Sequence, residues 1–182
     1  MGPQRGRRRG NFSGLSPPSF RVGVTGHRQF DDVDGVLAQL DEVLDRVCAA
    51  REPAELEIWS SLAEGADRHV AHEMIRRGAA LVAVLPLEPD EYRLDFATVE
   101  SRTEFDRLLG LARSVRVVES AEPSREAAYE AAGLTVLDAV DVLVAVWDGT
   151  SSRGRGGTAD LVGEARRLGR EVVIVPVTRD NV

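Results

Sequence analysis

The sequence contains no lysine: all 23 basic residues among its 182 are arginine. That absence removes Schiff-base chemistry, which needs a lysine amine, and the P-loop, whose Walker A lysine grips nucleotide phosphates. A phosphate met by this chain is met by arginine forks, backbone amides, hydroxyls or helix ends. Cysteine is nearly absent too. The single cysteine, Cys48, excludes an intramolecular disulfide and a multi-cysteine metal site. It fits a reducing, cytoplasmic setting. The three histidines, His27, His69 and His72, do not by themselves make a zinc site, so no metal and no cofactor is expected. Long apolar runs are missing. The longest, Ala79 to Pro86, is far short of the ~20 residues that cross a bilayer, and no membrane partner is expected. No internal repeat occurs, and the N-terminus has no apolar secretory segment.

Acidic residues number 30, for a net charge of -7. This argues against a nucleic-acid partner, because proteins that live on bulk phosphate charge are usually basic. What is present reads as globular: 43% apolar and 29% charged residues, in a length that suits one domain. Residues 1–19 stand apart, with Arg5, Arg7, Arg8 and Arg9 among glycines and then serines and prolines. They read as a flexible basic tail ahead of a single domain over 20–182.

From Phe20 onward, short β-type runs alternate with helical periods. The runs are Phe20–Thr25, Leu56–Ser60, Leu81–Pro86, Val115–Val118, Asp141–Trp147 and Val172–Val177. Between them, Val33, Val36, Leu37, Leu40, Val43, Leu44 and Val47 form one apolar stripe at helical spacing, with Asp31 or Asp32 as its N-cap. Ala66–Arg77 is a second helix, stopped by Gly78. Phe105, Leu108, Leu109 and Ala112 mark a third, Pro123 opens a fourth from its first turn, and Gly157–Leu168 is the last. Strand and helix in alternation imply parallel strands with right-handed crossovers. The expected fold is a single α/β, Rossmann-like, three-layer domain with a mostly parallel sheet.

Such folds bind ligands beyond the C-terminal ends of their strands, so the residues that follow each apolar run carry the functional signal. After the first run come Thr25, Gly26, His27 and Arg28. After the second come Ser60, Ser61, Glu64, Gly65 and Asp67. Pro86 follows the third, and Asp148 leads into Gly156, Gly157 and Thr158 after the fifth. Glycines let a backbone approach a phosphate closely, a helix N-terminus offers free amides, and Arg28 offers a fork of donors. Together they point to a phosphate-bearing ligand. His27 is either a ligand contact or a local cap. His69 and His72, Trp59 and Trp147, and Cys48 read as packing residues. The Arg76-Arg77 and Arg166-Arg167 pairs read as solvated helix faces.

These motifs resemble the SLOG superfamily, the Rossmann-like group that joins DNA-processing protein A with the Lonely Guy enzymes. Ser60-Ser61-Leu62-Ala63-Glu64-Gly65-Ala66-Asp67, then Ala71-His72, then Ala83-Val84-Leu85-Pro86 is similar to the Ser-Gly-x-Ala-x-Gly-x-Asp, Ala-His and Ala-Val-Leu signature of the first. Gly23-Val24-Thr25-Gly26-His27-Arg28 looks like the family's opening strand and loop, and Arg155-Gly156-Gly157-Thr158 like the Lonely Guy phosphate loop. The resemblance implies a nucleotide-like small molecule at the sheet edge, with Arg28, Gly156, Gly157 and Thr158 on its phosphate. Thr25, Gly26, Ser60, Ser61, Gly65 and Pro86 would shape a base and sugar pocket, with Asp67 and Asp148 on ribose hydroxyls. It also implies a homo-oligomer, and for a sensor an effector protein partner. Three functions follow from it: sensing of a nucleotide-derived signal such as an NAD or ADP-ribose derivative, hydrolysis of a nucleoside monophosphate at its N-glycosidic bond, and single-stranded DNA binding. The hydrolase motif places its glutamate where this chain has Leu161. A leucine carries no proton, which leaves Asp160, Glu164, Glu64 and Asp67 as candidates for a displaced carboxylate.

Overall fold

The computed structural model describes residues 19–151 and 156–178. Its strands are β1 (Phe20–Gly26), β2 (Leu56–Ser60), β3 (Ala80–Leu85), β4 (Ser114–Val117), β5 (Val142–Trp147) and β6 (Glu171–Pro176). The helices are α1 (Val33–Val47), α2 (Ala66–Arg76), α3 (Pro89–Tyr92), α4 (Val99–Leu111), α5 (Arg125–Ala139) and α6 (Thr158–Arg167). The strands form one sheet in the order β4-β3-β2-β1-β5-β6, parallel at every pairing. The chain enters at the middle, walks out to β4, and returns to the other side of β1. The order therefore reverses between β1 and β5, which opens a crevice at the C-terminal ends of these two strands.

Both sheet faces are covered, which is why the strands read as continuous apolar runs. On one face Val22, Val24, Ile58, Leu81, Ala83 and Leu85 pack with α1, α2 and α4 residues in the main core. On the other, Trp59, Val82 and Val84 pack against Ala132, Val136 and Val140 of the α5 region. Trp59 is thus a core residue, 3% exposed. Helix starts follow their capping side chains. Asp32 accepts from the Gly35 amide at 2.9 Å, Thr98 from Ser101 at 3.1 Å, and Ser124 from Ala127 at 3.2 Å. The last of these corrects the sequence expectation: Ser124 is the N-cap of α5, so Pro123 stands just outside the helix.

Two further features depart from the sequence reading. The segment after β3 folds into the short α3, whose Tyr92 is fully buried with Phe96 and Phe105, the rings 5.1 to 5.6 Å apart. Arg77 is no solvated residue. Its side chain is only 13% exposed and bridges α2 to α1, pairing with Glu73 at 2.9 Å and Asp45 at 2.8 Å, and also with Asp41. These carboxylates hold its guanidinium charge, against the cost of burial.

Candidate functional site

Gly26 closes β1 at the crevice. A Cβ there would lie 2.4 Å from Ala66 Cβ and 2.7 Å from the Val146 carbonyl oxygen, so only glycine lets the loop pass between α2 and β5. The next turn is pinned on both sides. The His27 amide donates to Val146 O at 3.0 Å, and the Ala66 amide donates to His27 O at 3.1 Å. This turn fixes the backbone of Arg28. The Arg28 side chain is exposed, lies 5.8 Å from the Tyr129 ring centre, and makes no ion pair among the described residues.

The β2–α2 loop supplies the acid. Ser60 Oγ and the Ser61 amide both donate to Asp67 Oδ2, at 3.2 and 3.1 Å. The Leu62 amide donates to Ser60 Oγ at 3.0 Å. The loop takes left-handed conformations at Leu62 (φ 58°) and Gly65 (φ 76°). Asp67 is 7% exposed, and its burial raises the carboxyl to about 6 against the partial relief of these hydrogen bonds.

The opposite wall comes from α6. Gly156 has φ 74°, and a Cβ on it would lie 2.8 Å from Glu130 Cα, so the loop runs against α5. Gly157 is the N-cap and offers no side-chain bond. Among the described residues no side chain caps the first turn of α6, and its Thr158 and Ala159 amides have no intrahelical partner.

These pieces enclose a cleft of about 320 Å³, walled by Thr25, Gly26, Arg28, Ser61, Asp67, Gly156, Gly157 and Thr158 of the sequence-predicted set. The other candidates stand elsewhere. Ser60 is fully buried behind Asp67. His27 Nε2 lies 2.9 Å from Asp148 Oδ1, tying the two strand-end loops together. Gly65 and Glu64 line an adjoining cleft. Pro86 lies in a separate hollow with Leu87 and Val117. Asp160 is exposed on α6, and Glu164 is held by Arg167 Nε at 2.7 Å. Beyond Thr158, Leu161 is the α6 residue that reaches the cleft, 7% exposed and set against Gly133, where a Cβ would come within 2.6 Å of it. Arg155, part of the loop motif, lies outside the described residues.

The sequence reading missed Tyr92, Tyr129 and Gly133, which complete the walls. Tyr92 follows a flagged strand end, but only the α3 turn sends its ring inward. Its hydroxyl is buried without a hydrogen-bond partner among the described residues, and burial together with the Asp67 charge pushes the phenol well above its ordinary value. Tyr129 and Gly133 sit mid-helix on α5, where nothing local marks them. His72 contacts Glu104 at 2.9 Å, and His69 packs 5.7 Å from the Phe30 ring. Among the described residues no group of three or more His, Cys, Asp or Glu is placed to hold a metal, and no helix is long and apolar enough to cross a membrane.

No protein-family model matches the chain, and no curated protein does. Solved structures do resemble it. DNA processing protein A from Streptococcus pneumoniae superposes with a TM-score of 0.61 at 16% identity, over 90% of this chain and 52% of its own. The chain thus spans about half the length of the pneumococcal protein. DNA processing protein A from Helicobacter pylori, whose single-stranded DNA binding mode its structure describes, gives 0.58 at 15% identity, over 90% and 68%. The structural-genomics target TM1055 gives 0.50 at 18% identity, over 84% and 72%. At these identities the likeness is one of fold: the chain has a Rossmann-like α/β fold with an all-parallel sheet, the fold that the SLOG resemblance implied.

Proposed function

We propose that the switch-point cleft binds a phosphorylated nucleoside or another nucleotide-derived small molecule, such as an NAD or ADP-ribose derivative, and that the domain acts as a sensor or ligand-binding module. One observation carries this reading. The exposed guanidinium of Arg28, without an ion pair among the described residues, shares a cleft with the uncapped N-terminus of α6. Both features favour an anion. The cleft's volume lies within the ordinary range for small ligands, and Asp67 in its wall offers an acceptor for a sugar hydroxyl. Calorimetric titration with AMP, ADP-ribose and NAD tests the reading. Gly157→Glu sets a carboxylate at the α6 N-terminus and is expected to abolish binding while leaving the unfolding midpoint near that of the parent. Unchanged affinity in that variant removes the site assignment. Self-association belongs to the same proposal, and a strictly monomeric sedimentation mass would contradict it.

Two other readings each have one observation in their favour. For an N-glycosidic hydrolase it is Asp67, a cleft carboxyl that burial raises to about 6. Base released from a monophosphate by the parent and not by Asp67→Asn would establish it. For single-stranded DNA it is the Helicobacter pylori protein's described binding mode, on the shared fold. The sequence expectation against nucleic acid, drawn from the acidic net charge, has no support from these structural neighbours. Anisotropy of a labelled oligonucleotide across a salt series, with the steep slope of phosphate neutralisation, would support that reading.

A further inference from the structure

Arg28 also forms one wall of a second cleft, of about 540 Å³, between the N-terminal turns of α2 and α4. Glu64, Arg68, Glu100, Ser101 and Glu104 line it. Arg68 is 3% exposed and almost fully engaged. Its Nε donates to Leu62 O at 3.1 Å, and its Nη1 reaches Ser101 O and Oγ at 2.9 Å and Glu104 Oε2 at 3.2 Å. Its Nη2 is buried with no hydrogen-bond partner among the described residues, and the guanidinium lies over the Phe96 ring at 4.3 Å.

The acids of the cleft differ in what they have left to give. Glu104 is used on both oxygens, by Arg68 and by His72 at 2.9 Å. Glu64 Oε1 lies 2.5 Å from Ser101 Oγ. A carboxylate only accepts, so the Ser101 proton points at Oε1. Glu64 is thereby oriented, and its Oε2 has no partner among the described residues. The cleft offers a fixed acceptor in Glu64 and a second in exposed Glu100. A second phosphate is a poor occupant, because three carboxylates surround it. A neutral base edge that donates from an amino group meets these acceptors.

We propose that this cleft is the base-reading subsite of the ligand, selecting nucleobases that carry an exocyclic amino group over those with a carbonyl in its place, and that Glu64 is its specificity-determining residue. The proposal rests on the reading that the phosphate lies at α6, since Arg28 joins the two clefts. Calorimetric titration with AMP, IMP, CMP and UMP tests it. AMP is expected to bind at least about tenfold more tightly than IMP, and CMP than UMP, as suits one hydrogen bond to a charged group. Glu64→Gln gives a sharper result. The Ser101 proton holds the amide carbonyl on its own side, so the amide NH₂ faces the cleft. The preference is then expected to reverse, toward IMP and UMP. Glu64→Ala is expected to erase the preference without reversing it, with the unfolding midpoint measured alongside. Equal affinity for all four ligands in the parent protein overturns this inference and leaves the phosphate site standing. Absence of binding by any of the four overturns this inference, and absence of binding by ADP-ribose and NAD as well overturns both.

Discussion

The two walls of the switch-point cleft are built on opposite plans. The β2–α2 wall is dense with internal hydrogen bonds: Ser60, Ser61 and Leu62 are all committed to holding Asp67 in place. The α6 wall is sparse, with Gly156 in a left-handed conformation and Gly157 capping the helix without a side chain. One wall keeps a carboxyl out of water, and a buried carboxyl needs hydrogen-bond partners. The other exposes amides, and that needs nothing in their way. A sequence marks these two plans differently. Ser and Asp at fixed spacing announce the first, and paired glycines before a helix announce the second.

The seam between the walls is the place to break the comparison most severely. Gly26→Val puts side-chain atoms where Ala66 and the Val146 carbonyl already stand. It is expected to lower stability by about 3 kcal/mol, read as a shift in the urea midpoint, and to disable both walls at once. A smaller effect separates them. The Asp67 carboxyl rises from 3.8 to about 6 in the fold, so the folded state prefers it protonated. The stability this confers is complete below about pH 4 and is lost as pH rises through about 6, a change of about 3 kcal/mol. Asp67→Asn keeps an acceptor for Ser60 and Ser61 and does not titrate. Its stability relative to the parent is therefore expected to climb across that window in urea unfolding at a series of pH values. A flat difference would mean that Asp67 is solvated in solution. The smallest effect belongs to the exposed side of α6. Arg167→Ala removes only a surface pair with Glu164, and its midpoint is expected to match the parent within error. A clear loss there would show that α6 leans on its outer face as well as on the cleft.

Much of the fold was legible because it repeats locally. Each β-type run became a strand within a residue or two, since strands covered on both faces need unbroken apolar sequence. Helix α1 follows its apolar stripe and the Asp32 cap. The misreadings share one cause. Pro123 lost the helix start to Ser124 because a side-chain acceptor, present one residue later, satisfies the free amides. Arg77 looked like solvated surface because its partners Asp41 and Asp45 lie on another helix. Asp160 and Glu164 sit near the motif in sequence, but the turn of α6 gives the cleft to Leu161.

The sequence by itself determined the chemistry on offer. With no lysine and one cysteine, it restricted phosphate recognition to arginine, hydroxyls and backbone, and it ordered strand-end loops along the chain. Only the tertiary structure decided which of those loops meet. The reversal of strand order between β1 and β5 brings residues 25–28 against 156–158. It moves Pro86 away and draws in Tyr92 and Tyr129 from helices that carry no local signal. Local periodicity fixes elements because neighbouring side chains share one backbone. A site is a set of distant residues, and their meeting depends on how every strand between them is paired.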